Sequence, residues 1–287
     1  MKRTDLVLTL PQRLLLLFCF FLICYILTAV TSYILGRVMA GRMEAAIRIS
    51  ALIQDILAFI VPAVGTAVFV SRRPADLLCI RRAPGLGMLL LVLVMMFVSV
   101  PLQEAICWWN YNIKFPESMA GLESSLRMLE EMASDTMRAM MADTSVSALI
   151  INILIIGIAA GVSEELIFRG CFQRLLTTGG VNVHLAIWLV AFFFSALHMQ
   201  IFGFVPRMLL GAYFGYLLLW SRSLWVPVAA HALNNTVYVI SAWLKVRSEG
   251  VESVTAEPTL WSFWPTAASL VLTAATLYFM RSLRVRE

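Results

Sequence analysis

The sequence predicts an all-α fold: a polytopic transmembrane helix bundle of about eight spans, with one amphipathic helix outside the hydrocarbon. Three observations carry that reading. The chain of 287 residues is 61% hydrophobic and 14% charged, whereas a soluble domain is about 45–50% apolar, and its mean hydropathy is +0.86. Apolar runs of about 20 residues, the length a bilayer core demands, recur along the chain. The basic residues fall in the short connections between those runs, so the net charge of +5 reads as a set of topology signals and not as a nucleic-acid surface. The five cysteines contain no Cys-x-x-Cys and lie mostly in apolar stretches, which excludes a thiol metal site and a disulfide framework.

Taken in order, Lys2, Arg3 and Arg13 precede the run Leu14 to Leu35, which exceeds a signal-peptide core and is long enough to span. Arg37 and Arg42 lead to a second span, Ile49 to Val70, which carries Asp55 and Pro62. The segment Ser71 to Arg82 holds two basic pairs and reads as a cytoplasmic loop. A third span, Leu86 to Ile106, is interrupted by Pro101 and ends in the aromatic belt Trp108-Trp109-Asn110-Tyr111. From Pro116 to Ala142, Met119, Leu122, Leu126, Leu129 and Met132 recur at helical spacing with acids between them, the pattern of an amphipathic helix.

The fourth span runs from Val146 to about Leu176 and the fifth from His184 to Phe202, with a Thr177-Thr178-Gly179-Gly180 turn between them. A short sixth, Met208 to Trp220, contains Gly211-x-x-x-Gly215, a spacing that permits close helix packing. The seventh, Val226 to Leu244, precedes a polar loop from Lys245 to Pro258, and the eighth, Trp261 to Met280, ends in Arg281, Arg284 and Arg286. The arginine-rich links, that at Arg37 and Arg42 excepted, place both termini in the cytoplasm of an integral membrane protein, with the plasma (inner) membrane as its expected location. The chain reads as one membrane domain, 1–287, with an external amphipathic segment at 108–142 and a core at 143–245.

That core is defined by Ser163-Glu164-Glu165-Leu166-Ile167-Phe168-Arg169-Gly170, which places two carboxylates and a guanidinium at the end of an apolar run. Such residues are costly in a bilayer and usually face a bundle interior or a watery cavity. The alternative is that they mark a helix leaving the membrane. On a helix Glu165 and Arg169 stand four apart in the favourable order for a pair, while Glu164 is turned about 100° away and left available. Of the three histidines, His198 closes Phe194-Ser195-Ala196-Leu197-His198 and His231 opens His231-Ala232-Leu233-Asn234-Asn235, whereas His184 sits at a helix start beside Asn182 and reads as interfacial. A lone histidine in an apolar helix is usually a packing residue; two such helices beside a diglutamate are harder to assign to packing. His231 and Asn235 share one helix face.

Glu-Glu-x-x-x-Arg at 164–169, Phe-x-x-x-His at 194–198 and His-x-x-x-Asn at 231–235, with Ser223-Leu224-Trp225-x-Pro227 ahead of the last, resemble the CPBP family of intramembrane proteases, also called the Abi or type II CAAX prenyl endopeptidase family. The resemblance covers roughly Gly157 to Asn235. It implies that Glu164 is the general base, that His198 helps it activate water, that Glu165 and Arg169 hold the motif helix, and that His231 and Asn235 form the oxyanion hole. No cofactor is then needed, and the partners are the lipid bilayer and a membrane-associated peptide or protein substrate. A rival arrangement makes Glu164, His198 and His231 zinc ligands, with Glu165 as base. A second rival is a non-enzymatic membrane protein that binds a partner or confers self-immunity. One difficulty stands: with the spans drawn as above, Glu164 lies near the end of its helix and His198 about 20 Å from the start of its own, so straight helices keep them apart.

Overall fold

A computed structural model describes residues 8–254 and 262–284. Lys2, Arg3, Trp261, Arg286 and the far part of the loop ending at Pro258 lie outside those residues. Every regular element among the described residues is helical. The principal helices are α1 (Leu10–Val38), α2 (Met43–Val70), α3 (Leu86–Val98), α4 (Val100–Tyr111), α5 (Ala120–Met141), α6 (Val146–Thr178), α7 (Val183–Ala196), α8 (Phe204–Ser221), α9 (Trp225–Glu249) and α10 (Phe263–Ser282).

Local chemistry sets the ends. Thr9 and Gln12 form a capping box at the start of α1, satisfying donors that a helix N-terminus leaves open. Pro101 cannot donate to Phe97 and its ring crowds that carbonyl, so the third apolar run breaks at Ser99 into α3 and α4, bent by 54°. Asn182 caps α7 by accepting from the backbone N–H groups of His184 and Leu185. The outward face of α1 exposes Phe18, Ile23 and Ile26, an arrangement stable only against lipid.

By length and composition five helices qualify as spans, or six if the bent α3–α4 pair counts as one. The expected eight are not confirmed by that count, for two physical reasons. The run from His184 to Phe202 is not one helix: α7 has 14 residues, and the chain turns through Met199, whose φ of 57° is left-handed, into the short turn Ile201–Gly203 that leads to α8. The seventh run forms α9, with 25 residues, but His231, Asn234, Asn235, Lys245 and Arg247 keep it below the hydropathy of a span.

The core sits around α6, which packs against α2, α7, α8 and α9. Two glycine pairs bring these helices close. A Cβ on Gly161 would lie 3.0 Å from the backbone nitrogen of Ala232, and one on Gly157 2.6 Å from Thr236 Oγ1, so α6 and α9 meet backbone to backbone through a Gly-x-x-x-Gly facing Ala-x-x-x-Thr. On α8, a Cβ at Gly211 would press on Phe194 and Arg169, and one at Gly215 on Gln173 and Ile187. Three π-helical stretches, Asp55–Ile60, Ile153–Ala159 and Leu166–Gln173, lie in α2 and on either side of the Glu164-Glu165 turn. Such widened turns re-aim side chains and concentrate at functional sites.

Candidate active site

Glu164 is not near the end of its helix. α6 continues for about 14 residues past it, to Thr178, roughly 21 Å at 1.5 Å per residue. α7 returns antiparallel after a tight turn and covers about the same rise before ending at Ala196, two residues ahead of His198. The depths therefore agree, which removes the difficulty posed by spans drawn from hydropathy alone. Phe194 completes the link, its ring centroid lying 5.2 Å from that of His198 and 5.8 Å from that of His231.

Glu165 and Arg169 are both fully buried and form an ion pair of 2.7 Å. The same Glu165 oxygen lies 2.8 Å from His231 Nδ1, so one carboxylate ties α6 to itself and to α9. Arg169 also donates to the Gly211 carbonyl at 2.8 Å, and Gln173, one turn on, to the Gly215 carbonyl at 3.1 Å. The guanidinium carbon lies 4.5 Å from the Phe194 ring centroid and 5.3 Å from that of Phe214. A carboxylate on Nη1, a carbonyl on Nη2 and aromatic faces surround the buried guanidinium, and its Nε is left without a hydrogen-bond partner.

Glu164 is placed differently. Its Oε2 is buried and has no hydrogen-bond partner, and it lies 3.8 Å from His231 Nε2. With Nδ1 held by Glu165 and the ring stacked on Phe214 at 4.9 Å, His231 is oriented with Nε2 toward Glu164. Asn235 spends one amide N–H on the Ile156 carbonyl at 3.0 Å, which fixes its side chain beside the π-helical stretch of α6. Ser163 donates to Asp55 Oδ1 at 2.7 Å, and Asp55 is 5% exposed. The acid noticed on the second span therefore reaches the residue next to Glu164.

His198 is held from two sides. Its Nδ1 lies 2.8 Å from the Phe194 carbonyl; a carbonyl only accepts, so Nδ1 carries the proton and Nε2 offers the lone pair in the neutral ring. The loop that follows is fastened to α5: Glu130, 7% exposed, accepts from the Phe202 N–H at 2.9 Å and from Gln200 Nε2 at 3.1 Å. Arg127 covers the Phe202 ring at 4.2 Å. On the outer side of α5, hydrogen bonds from Arg127 first and the Phe115 N–H second hold the Glu123 carboxyl below the usual range. The expected amphipathic helix is thus a strap across the His198 loop.

The structure brings Arg169, His198 and His231 around Phe194, sets Glu164 and Glu165 against His231 with Asn235 one turn further along α9, and leaves His184 apart, exposed and bonded to Tyr216 at 3.0 Å. The Ser223-Leu224-Trp225 stretch turns away from the site. Its Ser223 hydroxyl, Leu224 N–H and Trp225 indole donate to the carbonyls of Arg82, Cys79 and Ile80, locking the basic loop onto the start of α9. Among the described residues no three His, Cys, Asp or Glu side chains are grouped to hold a metal ion. Sequence reading missed Gly157, Gly161 and Gln173, each of which stands four positions from a partner in an i, i+4 pattern. It also missed the inward turn of Glu130, for which the sequence carries no signal.

Residues 146–237 match the family model described as type II CAAX prenyl endopeptidase Rce1-like. That segment contains all three motifs, and the family matched is the one that they resemble. No curated protein and no solved structure matches the chain.

Proposed function

From this Rce1-like domain, we propose that the chain is an intramembrane endopeptidase that hydrolyses a peptide bond of a membrane-associated substrate without a metal. The observation that carries the proposal is the contrast between the two neighbouring glutamates: Glu165 is engaged through Oε1 by both Arg169 and His231, whereas Glu164 has only the His231 imidazole near it, at 3.8 Å; the Oε2 of each is buried without a hydrogen-bond partner. A carboxylate so placed can take a proton from water at the scissile carbonyl. The Nε2 lone pair of His198 accepts a hydrogen bond from the same water and so orients it, and the proton taken by Glu164 is delivered to the leaving amine as the tetrahedral adduct collapses, which regenerates the carboxylate.

The attack places negative charge on the carbonyl oxygen. Donors for it are the second N–H of Asn235 and Nε2 of His231 once that ring carries both protons, and each such donor typically contributes about a hundredfold to a thousandfold in rate. Glu165 and Arg169 act as positioning residues, fixing His231 and α6. Asp55, through Ser163, positions the turn that carries Glu164.

Proteoliposomes holding the full chain and a quenched peptide library test this directly. Cleavage that persists in a strong chelator, from protein that holds no stoichiometric metal, is the expected result. Loss of cleavage in the chelator, restored by zinc, would favour the metal-dependent arrangement; a folded chain that cleaves no member of a library of membrane-anchored peptides would point to the binding or self-immunity role.

A further inference from the structure

A cavity of about 600 Å³, walled by α3, α4, α8 and α10 with Trp188 of α7, lies behind the candidate site. Its size falls within the roughly 300–1,000 Å³ of small-molecule sites. The walls are mostly apolar; Ser99, Gln103 and Thr273 are polar, and Arg281, the charged side chain among the described lining residues, stands at one end with Tyr278 and Trp220. Arg281 and Trp220 are in the last turns of α10 and α8, where interfacial aromatic and basic side chains sit at headgroup level. The other end is formed by Ile106 and Pro206. From Pro206 to Trp220 the wall runs about 21 Å along α8, more than the roughly 15 Å of one leaflet's hydrocarbon. A cation and aromatic rings at one end of a long apolar trough match an amphiphile with an anionic head and an extended chain.

Phe214 gives the cavity a second property. It lines the cavity on one side and stacks on His231 on the other, at 4.9 Å and 21° between planes. A chain lying in the cavity would press on the ring that backs the His231 imidazole.

We propose that this cavity binds an anionic membrane lipid, with its headgroup on Arg281 and one acyl chain along α8, and that the bound chain steadies His231 through Phe214. The binding statement stands on the cavity alone; the effect on His231 rests on the peptidase reading.

Native mass spectrometry of the full chain, released from detergent with equal amounts of phosphatidylglycerol and phosphatidylcholine, tests the binding. Wild type is expected to retain one phosphatidylglycerol in preference. Arg281→Gln should reduce that preference about fivefold, the worth of one basic residue near a charged surface, and Ala274→Trp, which fills the trough from α10, should lose the bound lipid of either kind. Circular dichroism and gel-filtration profiles matching wild type establish that both variants fold. An unchanged preference in Arg281→Gln, or full retention in Ala274→Trp, would overturn the site; so would equal retention of both lipids by wild type, which would make it a neutral-chain cavity. In the peptide assay phosphatidylglycerol should raise the wild-type rate and leave Ala274→Trp unmoved. A wild-type rate indifferent to a lipid that does bind would refute the coupling to His231. A wild type without cleavage would fail the peptidase reading and leave the binding result to decide the site.

Discussion

Glu165 and Arg169 form a buried pair that closes on itself only with help from a second helix, because each also bonds outside the pair, to His231 and to the Gly211 carbonyl. Removing one partner strands the other in a low-dielectric interior, so Arg169→Met should destabilise the protein by about 3 to 5 kcal/mol. Arg169→Lys should be nearly as harmful, because an ammonium cannot span both acceptors in one plane; thermal unfolding in detergent measures both. Asp55 calls for a different variant. Asp55→Ala leaves the Ser163 hydroxyl with the Ala160 carbonyl, at 3.2 Å, as its acceptor, a net loss of about 1 kcal/mol for one hydrogen bond, and should lower cleavage more than a control substitution of equal stability elsewhere on α2. At this scale the sequence was informative about which charges pair. The i, i+4 spacing alone sorted Glu165 from Glu164. It was silent on Asp55, since one acid in a span has no pattern to test and its partner Ser163 is 108 positions away.

The elements owe their placement to small residues and to one strap. Gly157 and Gly161 let α6 touch the backbone of α9, and that contact sets the separation between Glu164 and His231. Gly161→Val should cost about 1 to 3 kcal/mol, as overpacking does, and should abolish cleavage while the chain still folds; a variant as active as wild type would show that the contact does not set the site. On the strap, Glu130→Ala frees the Phe202 N–H and Gln200. Amide exchange across 197–203 should then rise, and cleavage should fall with little change in the exchange of α6. Hydropathy found most of the helices because burial in lipid imposes about 20 apolar residues on each crossing. It placed the ends of the fourth well, Val146 to about Leu176 against Val146–Thr178, and misplaced the end of the fifth because apolar character does not stop where a helix stops. α7 ends in the apolar run at Ala196, and α6 runs on through Arg169 and Arg174, whose charge is met inside the protein or at its edge.

For the whole molecule, the three motifs come from helices that are separate in sequence, yet they converge on two phenylalanine rings, Phe194 and Phe214, with hydrogen-bonded groups on one side and an apolar cavity on the other. The all-α class follows from composition. The number of crossings does not, since α9 is long but polar and α7 apolar but short, and both are held by neighbours and not by lipid alone. Catalysis in this arrangement turns on Glu164 being the base. The measurement that tests this most directly is cleavage of a membrane-anchored peptide by Glu164→Gln, which keeps the side-chain shape and removes the proton acceptor. The rate should fall by about two to four orders of magnitude with the unfolding temperature close to that of wild type. A Glu164→Gln protein that folds and cleaves at the wild-type rate would contradict the assignment and move the chemistry elsewhere in the bundle.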